Sequence, residues 1–392
     1  MDHDTNISKL GDVAAEAGLR RISILAWRDL DDPEAGGSEI HVHEIARCWA
    51  EAGVEVTMRT SYASGRSHVA WRDGYRVIRK AGRYMVFPRA AFSERMGWHG
   101  ASDGLVEIWN GMPFFSPLWV TSPRVVFLHH YHAEMWQMTL PPRSAALGSF
   151  IEAKLAPPFY RRTPICTPSE SSKRELVELL GFKADRVQVV PPGIDSKYSP
   201  GGEKSPTPLV VAVGRLVPVK RHQLLLEVLA ELKHDHPTLE AVIAGEGYER
   251  DALEAQRREL GAEDWIHLPG RVSDDEIVDL YRRAWVLAST SAREGWGMTI
   301  TEASACGTPA VATRIAGHED AVVDGVTGLL ADDMPGIARA IDRVLRDGDL
   351  RQRLSTAALA HSARFQWSKT ALGVMESLAA DARRRRSHQH RR

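Results

Sequence analysis

The sequence predicts an α/β protein built from two doubly wound, parallel-sheet domains. Short apolar runs alternate with helical patterns along most of its 392 residues. Glycine-bearing loops stand between a strand and a helix in both halves, at Gly36-Gly37-Ser38-Glu39 and at Gly214-Arg215. Residues 196–208, rich in Gly, Ser, Lys and Pro, carry no apolar periodicity and separate the halves.

Composition sets the outer bounds. The length exceeds one typical domain, and 43% hydrophobic with 26% charged residues is ordinary for a globular chain. A net charge of −1 excludes nucleic-acid binding by bulk electrostatics. Cys48, Cys166 and Cys306 stand far apart, form no C-x-x-C pair, and read as packing residues in a reducing compartment. The first twenty residues are polar, with Asp2, Asp4, Asp12 and Glu16, and have no signal-peptide pattern. No run approaches the length of a membrane span. A cytoplasmic protein is expected, with any membrane contact peripheral.

Taken in order, residues 1–20 read as a flexible leader. Arg21 to Trp27 is a first buried strand, followed by a polar loop, and Ser38 is the expected N-cap of a helix from Glu39 to about Ala52. Val54 to Met58 continues as a strand, completing a βαβ opening with its glycine loop at the strand's carboxyl end. From Arg59 to Arg95, nine basic residues face only Asp73 and Glu94, interleaved with Tyr62, Trp71, Tyr75, Tyr84, Phe87 and Phe92. Such a surface attracts anionic lipid headgroups or an anionic acceptor, unless the arginines merely decorate hairpins. Leu105 to Trp109 and Arg124 to Leu128 are core strands. The second runs into His129-His-Tyr-His132, at the strand end where α/β sheets bind ligands. Ser144 to Ala156 reads as an amphipathic helix stopped by Pro157 and Pro158. Ile165 to Ser169, a helix to Leu180 and the strand Val187 to Val190 lead to Pro191-Pro-Gly-Ile-Asp195.

The second half opens with Leu209 to Val213, then Gly214-Arg215 and Lys220 on the turn before a helix. A guanidinium and an ammonium placed so can both reach a diphosphate. Strands at Glu240 to Ala244 and Ile266 to Gly270 follow, the second ending in Arg271. Trp285 to Leu287 then leads into Ala292 to Pro309, where Glu294 and Glu302 flank Gly295-Trp296-Gly297 and a helix starting at Met298-Thr299. The free N–H groups of that helix end suit a phosphate, and the glycines permit close approach. Ala310 to Thr313 and Gly317-His-Glu319 come next. Phe365-Gln-Trp367 opens a last helix to about Ala380, and the arginine-rich tail 383–392 reads as flexible and attractive to a membrane.

The ordered series of Gly36-Gly37-Ser38-Glu39, a strand-end histidine, Pro191 to Asp195, Gly214-Arg215 with Lys220, and Glu294 with Glu302 resembles the family 4 retaining glycosyltransferases of GT-B fold. The resemblance runs from about Arg21 to Ala380. It implies two Rossmann-like domains facing across a cleft, 21–195 on the acceptor side and 207–365 on the nucleotide-sugar side, with 366–380 crossing back to the first. It implies His129, Glu294, Arg215 and Lys220 as catalytic residues. The donor-binding set it implies is Gly36, Gly37, Gly214, Arg215, Lys220, Arg271, Glu294, Gly295, Trp296, Gly297, Met298, Thr299 and Glu302. In it Glu294 and His129 lie by the sugar and Glu302 by the ribose; His130 and His132 rival His129. The donor expected is GDP-mannose or a UDP-hexose, and the acceptor a glycan or lipid-linked molecule.

No metal or other cofactor is expected. Asp29-Leu-Asp31 is a D-x-D string of the kind GT-A enzymes use for a metal, but short acidic loops form it by chance. The three histidines with Glu134 lack the helical spacing of a zinc site. A nucleotide-sugar epimerase of the same fold and a non-catalytic scaffold remain as other readings.

Overall fold

The computed structural model describes residues 3–389, and the chain forms two compact units. The first runs to Gly193 and resumes at Gln366; the second is Ile194–Phe365. In the first unit the strands are β1 (Arg21–Leu25), β2 (Glu55–Thr60), β3 (Val69–Arg72), β4 (Tyr75–Arg79), β5 (Gly104–Trp109), β6 (Arg124–Leu128), β7 (Ile165–Thr167) and β8 (Val187–Val189). They form one sheet in the order β3-β4-β2-β1-β5-β6-β7-β8, parallel except for the β3–β4 hairpin. Every residue of β5 and β6 is buried, as a parallel sheet covered on both faces requires.

Glu107, on β5, is a buried carboxylate inside that core. Its carboxylate accepts from the Phe114 N–H (2.6 Å), the Ser116 N–H (3.2 Å) and the Tyr160 hydroxyl (2.6 Å). Burial raises its pKa, and these bonds pull against the rise. The buried carboxylate thereby fixes the turn that follows β5.

The described parts of both terminal segments fold onto this unit as helices, where a flexible leader and tail were expected. Residues His3–Glu16 form a helix that packs with the helix Trp367–Gln389, where the Asn6 amide donates to Ser368 (3.1 Å). Part of the basic tail is used internally: Arg385 reaches Asp381 and the Thr121 carbonyl, and Arg386 reaches the Ala17 carbonyl. Of the segments expected to be flexible, residues 1–2 and 390–392 lie outside the described residues.

The basic stretch is likewise largely paired within the fold. Arg59 binds Glu94 (2.5 Å), Arg79 and Arg72 hold Asp31 (2.6 and 2.9 Å), and Arg79 also holds Asp29 (3.1 Å). Asp29 and Asp31 thus face guanidinium groups, the partners that sequence proximity could not supply. What stays exposed is smaller: Trp71, Tyr84, Met85, Phe92, Met96 and Trp98, with Arg89 and Arg95 on and around the helix Val86–Arg95.

Three local expectations need correction. The helix after β1 is Gly37–Glu51, and its cap is Gly36, because the Glu39 carboxylate reaches back to the Gly36 N–H (2.8 Å); Ser38 lies inside the first turn. The helix expected over 144–156 is Pro142–Phe150 followed by a π-turn, Ile151–Leu155, and Pro157 starts a further helix, Pro157–Tyr160. Proline at a first helical position costs nothing, since its missing N–H would be unpaired there. Residues 196–208 are not a free linker. Arg282 donates to Ser199 (2.8 and 2.9 Å), Lys204 to Ala284 and Thr308, and Trp285 to Ser205, so this segment belongs to the second unit. The break falls earlier because Gly193 is clamped in the first unit, where a Cβ would lie 2.1 Å from the Trp367 nitrogen.

The second unit has six parallel strands, β9 (Leu209–Val213), β10 (Glu240–Ala244), β11 (Ile266–Gly270), β12 (Val286–Ser289), β13 (Ala310–Thr313) and β14 (Gly328–Ala331). Their order is β11-β10-β9-β12-β13-β14. The chain winds outward from β9 to β11 and then returns to the other side of β9 as β12. That reversal makes a switch point between β9 and β12, and the first unit has its own between β1 and β5. Among the described residues no helix is long and apolar enough to cross a membrane.

Candidate functional site

In the second unit, the loops leaving β9 and β12 meet at the switch point. The loops after β10 and β13 pack on them so closely that only glycine fits at several positions. A Cβ on Gly245 would stand 1.8 Å from the Gly214 carbonyl oxygen, one on Gly247 2.1 Å from that of Leu216, and one on Gly317 2.7 Å from that of Glu294. Hydrogen bonds then stitch the loops together. Ala292 donates its N–H to Val219 (2.7 Å), Thr290 its hydroxyl to Lys220 (3.0 Å), and Thr313 its hydroxyl to Ser291 (2.7 Å). Arg221, at a left-handed φ of 51°, donates to the carbonyls of Thr290 and Ser291, both at 2.8 Å.

The stitching brings Lys220 onto Glu294. The ammonium lies 2.5 Å from Glu294 Oε1, to which the Ser291 hydroxyl also donates (2.8 Å). Burial would raise the Glu294 pKa, but Lys220 and the nearby His318 outweigh it and hold the carboxyl below its usual value. His318 is fully buried. Its Nδ1 donates to the Thr313 carbonyl (2.9 Å), which leaves Nε2 to accept from Ser289 (3.2 Å), and burial lowers the pKa of the ring.

Arg215 sits on the same turn, half-buried. Its guanidinium has no hydrogen-bond or ion-pair partner among the described residues. Gly297, at φ 108°, opens the helix Met298–Ala305; Met298 and Thr299 form its half-buried first turn. Free N–H groups at this helix end, Arg215 and Lys220 offer positive charge around one loop, in a form that can take a diphosphate without a metal.

Glu302 lies one turn into that helix and accepts from the Tyr281 hydroxyl (3.2 Å). Burial pushes its pKa up to about 7; Tyr281 and Lys197 pull it down, and Asp195 and Asp274 raise it. Two members of the expected donor-binding set are placed differently by the fold. Trp296 is buried in the apolar layer against Phe365 (ring centroids 5.2 Å), so its side chain supports the loop and only its backbone is left for a ligand. Arg271 is exposed beyond β11 and makes no side-chain contact of this cluster.

In the first unit, Gly36 and Gly37 open their helix at the end of β1, and Asn110, after β5, donates to Ser38 (3.0 Å). The histidines after β6 separate into distinct environments. His129 is buried against His41 and Phe127, both its ring nitrogens lack partners among the described residues, and burial lowers its pKa to about 3, so it is a neutral imidazole. His130 and His132 stack at 4.6 Å. His132 is tied to Glu152 of the π-turn (Nδ1 to Oε1, 3.1 Å).

Arg221, Ser291, Tyr281 and Glu152 went unassigned in the sequence. A lone glutamate in an amphipathic helix was the only signal for Glu152. Among the described residues no group of three or more His, Cys, Asp or Glu is arranged to hold a metal.

Comparison with known proteins bears on the family and the fold. The family model for glycosyl transferases group 1 matches residues 195–361, and that for Glycosyltransferase Family 4 matches residues 35–198. D-inositol 3-phosphate glycosyltransferase from Kribbella flavida is 33% identical over 409 residues, covering 91% of this chain and 95% of that protein. The Nocardia farcinica protein of the same name is 37% identical over 226 residues, covering 53% of this chain and 50% of its own, so there the match spans about half the relative's length. Among solved structures, sucrose-phosphate synthase from Thermosynechococcus elongatus matches with TM-score 0.76 and 20% identity over 90% of this chain and 96% of that one. Anabaena HepE in complex with UDP and glucose matches with TM-score 0.73 and 19% identity over 92% and 100%. These likenesses establish the GT-B fold.

One consequence of the geometry concerns stability alone. A carboxylate whose folded pKa is raised stabilises the fold fully below its unfolded value, near 4.5, and loses that contribution as pH rises through about 7. Glu302→Gln should therefore gain stability over the unliganded wild type as pH rises from 5 to 8, by up to about 3 kcal/mol. Thermal unfolding across this range checks it; a difference that does not change with pH would contradict the buried, uncompensated carboxylate.

Proposed function

This chain belongs to the group 1, family 4 glycosyltransferases, and on that premise we propose that it transfers a hexose from a nucleotide-diphosphate sugar to a hydroxyl acceptor, with retention and without a metal ion. The observation that carries the reading is the second-unit loop in which Lys220, Arg215 and the start of the helix Met298–Ala305 converge beside Glu294. As the anomeric C–O bond breaks, negative charge grows on the leaving diphosphate. Fixed donors in a loop too close-packed to relax stabilise that charge without reorganising. Glu302 anchors the ribose hydroxyls, and Glu294, held ionised by Lys220, orients the sugar. A front-face displacement needs no protein nucleophile. HepE was solved with UDP-glucose, which supports a UDP-hexose as the first donor to try, beside GDP-mannose.

For the acceptor, the name shared by the relatives supports D-inositol 3-phosphate as one probe. The exposed aromatic and basic face around Val86–Arg95 supports a second class, a lipid-linked or cell-envelope glycan reached by peripheral contact with an anionic membrane on the cytoplasmic side. Aromatic rings seat at the headgroup level while Arg89 and Arg95 meet the phosphates. Cosedimentation should then retain the protein on vesicles of phosphatidylglycerol more than on phosphatidylcholine, less so at high salt and less for Phe92→Ala with Trp98→Ala. Equal retention on both lipids would remove the membrane from the proposal.

The enzymatic test is a panel of UDP-, GDP- and ADP-sugars with EDTA present, read as sugar released or transferred. Arg215→Ala and Lys220→Ala should each lower kcat by about 10²–10³. Normal turnover in both variants would end this reading, and a product that keeps its nucleotide would replace transfer by epimerisation.

A further inference from the structure

The two glutamates of the second unit's site are held in different ways. Glu294 takes an ammonium and a hydroxyl on one oxygen, whereas Glu302 takes a single hydrogen bond among the described residues, from the Tyr281 hydroxyl to Oε2 (3.2 Å). The charges around Glu302 are mostly adverse. Asp195 and Asp274 raise its pKa, and the nearby Lys197 ammonium is itself engaged, 2.7 Å from Asp274 and 3.8 Å from Asp195. Among the influences that favour its ionised form, the Tyr281 hydrogen bond stands ahead of Lys197.

That hydroxyl is hard to move. Tyr281 is fully buried on the helix Asp274–Arg283, with its ring in the apolar layer that holds Leu287, Ile300 and Ala303. Its backbone carbonyl accepts from the hydroxyl of Thr308, just past the helix that carries Glu302. The two helices are thus tied at two points. Burial, and then the charge of Glu302, push the phenol pKa well above its usual value, so the group stays a donor. The other oxygen of Glu302, Oε1, accepts no hydrogen bond among the described residues and is open to solvent, on a side chain that is half-buried. A carboxylate is planar, so fixing Oε2 also fixes Oε1.

We propose that Tyr281 is the positioning residue for the ribose contact of Glu302, and that through it the donor site selects a nucleoside diphosphate carrying both ribose hydroxyls. The proposal rests on the ribose reading of Glu302 given above. Two vicinal hydroxyls meet one carboxylate as a pair only when its plane and its charge are both set. Tyr281 sets the plane by holding Oε2, and it favours the charge by donating to it. A ligand without the diol leaves the half-buried carboxylate lacking those donors, which is how a polar site rejects an analogue.

Titration calorimetry on the full chain, with UDP, GDP and ADP beside their dideoxyribose counterparts, tests this. The wild type should prefer the ribose form of its nucleotide by at least about 10-fold, as hydrogen bonds to a charged group require. Tyr281→Phe should weaken that form about 5-fold and the dideoxy form by less than about twofold, whereas a folding defect would weaken both. In a Glu302→Gln background, Tyr281→Phe should leave the preference unchanged. The ratio of the two affinities cancels the titration of the diphosphate itself and reports Glu302. Facing Glu302 are Tyr281 and Asp274 from one helix, Asp195, Lys197 and Tyr198 from the segment before β9, and Cys306 at the end of its own helix. In the wild type the ratio should rise with pH through about 7; in Tyr281→Phe the rise should lie at higher pH, because a bond to the charged form is lost. An equal loss for both forms, no loss in either, or an unmoved pH profile would overturn the role. A wild type that binds no nucleoside diphosphate, or binds both forms equally, would instead overturn the donor reading of Glu302, and this role with it.

Discussion

The ion pair between Lys220 and Glu294 is the interaction on which the rest of the second unit's site depends. It joins the loop after β9 to the loop after β12 across the switch point, at 2.5 Å and largely out of water. Each loop is pressed into place by a neighbour: the loop after β10 packs on that after β9 at Gly245 and Gly247, and the loop after β13 packs on that after β12 at Gly317, where no Cβ fits. The pair settles the charge of Glu294 against burial and leaves two further donors on the Lys220 ammonium. Arg215, on the same turn, keeps its whole guanidinium available. Positive charge that is fixed and only partly used is what a diphosphate-binding loop needs.

Three carboxylates play different parts in the first unit. Glu107 is satisfied by two backbone N–H groups and a hydroxyl and serves to shape a turn. Glu94 neutralises Arg59 and takes hydrogen bonds from Ser23 and Ser102, an arrangement that closes on itself. Glu152 is spent on a histidine whose second nitrogen is left open.

Much of the fold was legible because it is written locally. Continuous apolar runs marked β5, β6 and β9, and glycine after a strand marked both switch points. The donor loop was legible for the same reason, since Gly214, Arg215, Lys220, Glu294 and Glu302 each stand at a fixed place relative to a strand or helix end. Pairing at a distance was not. Arg59 with Glu94 and Arg79 with Asp29 join a strand to a helix and a strand to a loop far apart in the sequence, so a stretch that counts as strongly basic is mostly neutralised in the fold. Trp296 looked like a ligand contact by its place between two glycines, yet the apolar layer claims its ring. Glu152 was hidden because a lone glutamate in an amphipathic helix normally faces solvent.

Titration calorimetry in EDTA offers the most direct measure of whether the Lys220–Glu294 loop is a metal-free diphosphate site. A nucleoside diphosphate should bind at least about 100-fold more tightly than its nucleoside, as one or two charge-assisted hydrogen bonds to the diphosphate require, and EDTA should leave that affinity unchanged. Equal affinity for nucleoside and nucleoside diphosphate, or binding that disappears with EDTA, would contradict it.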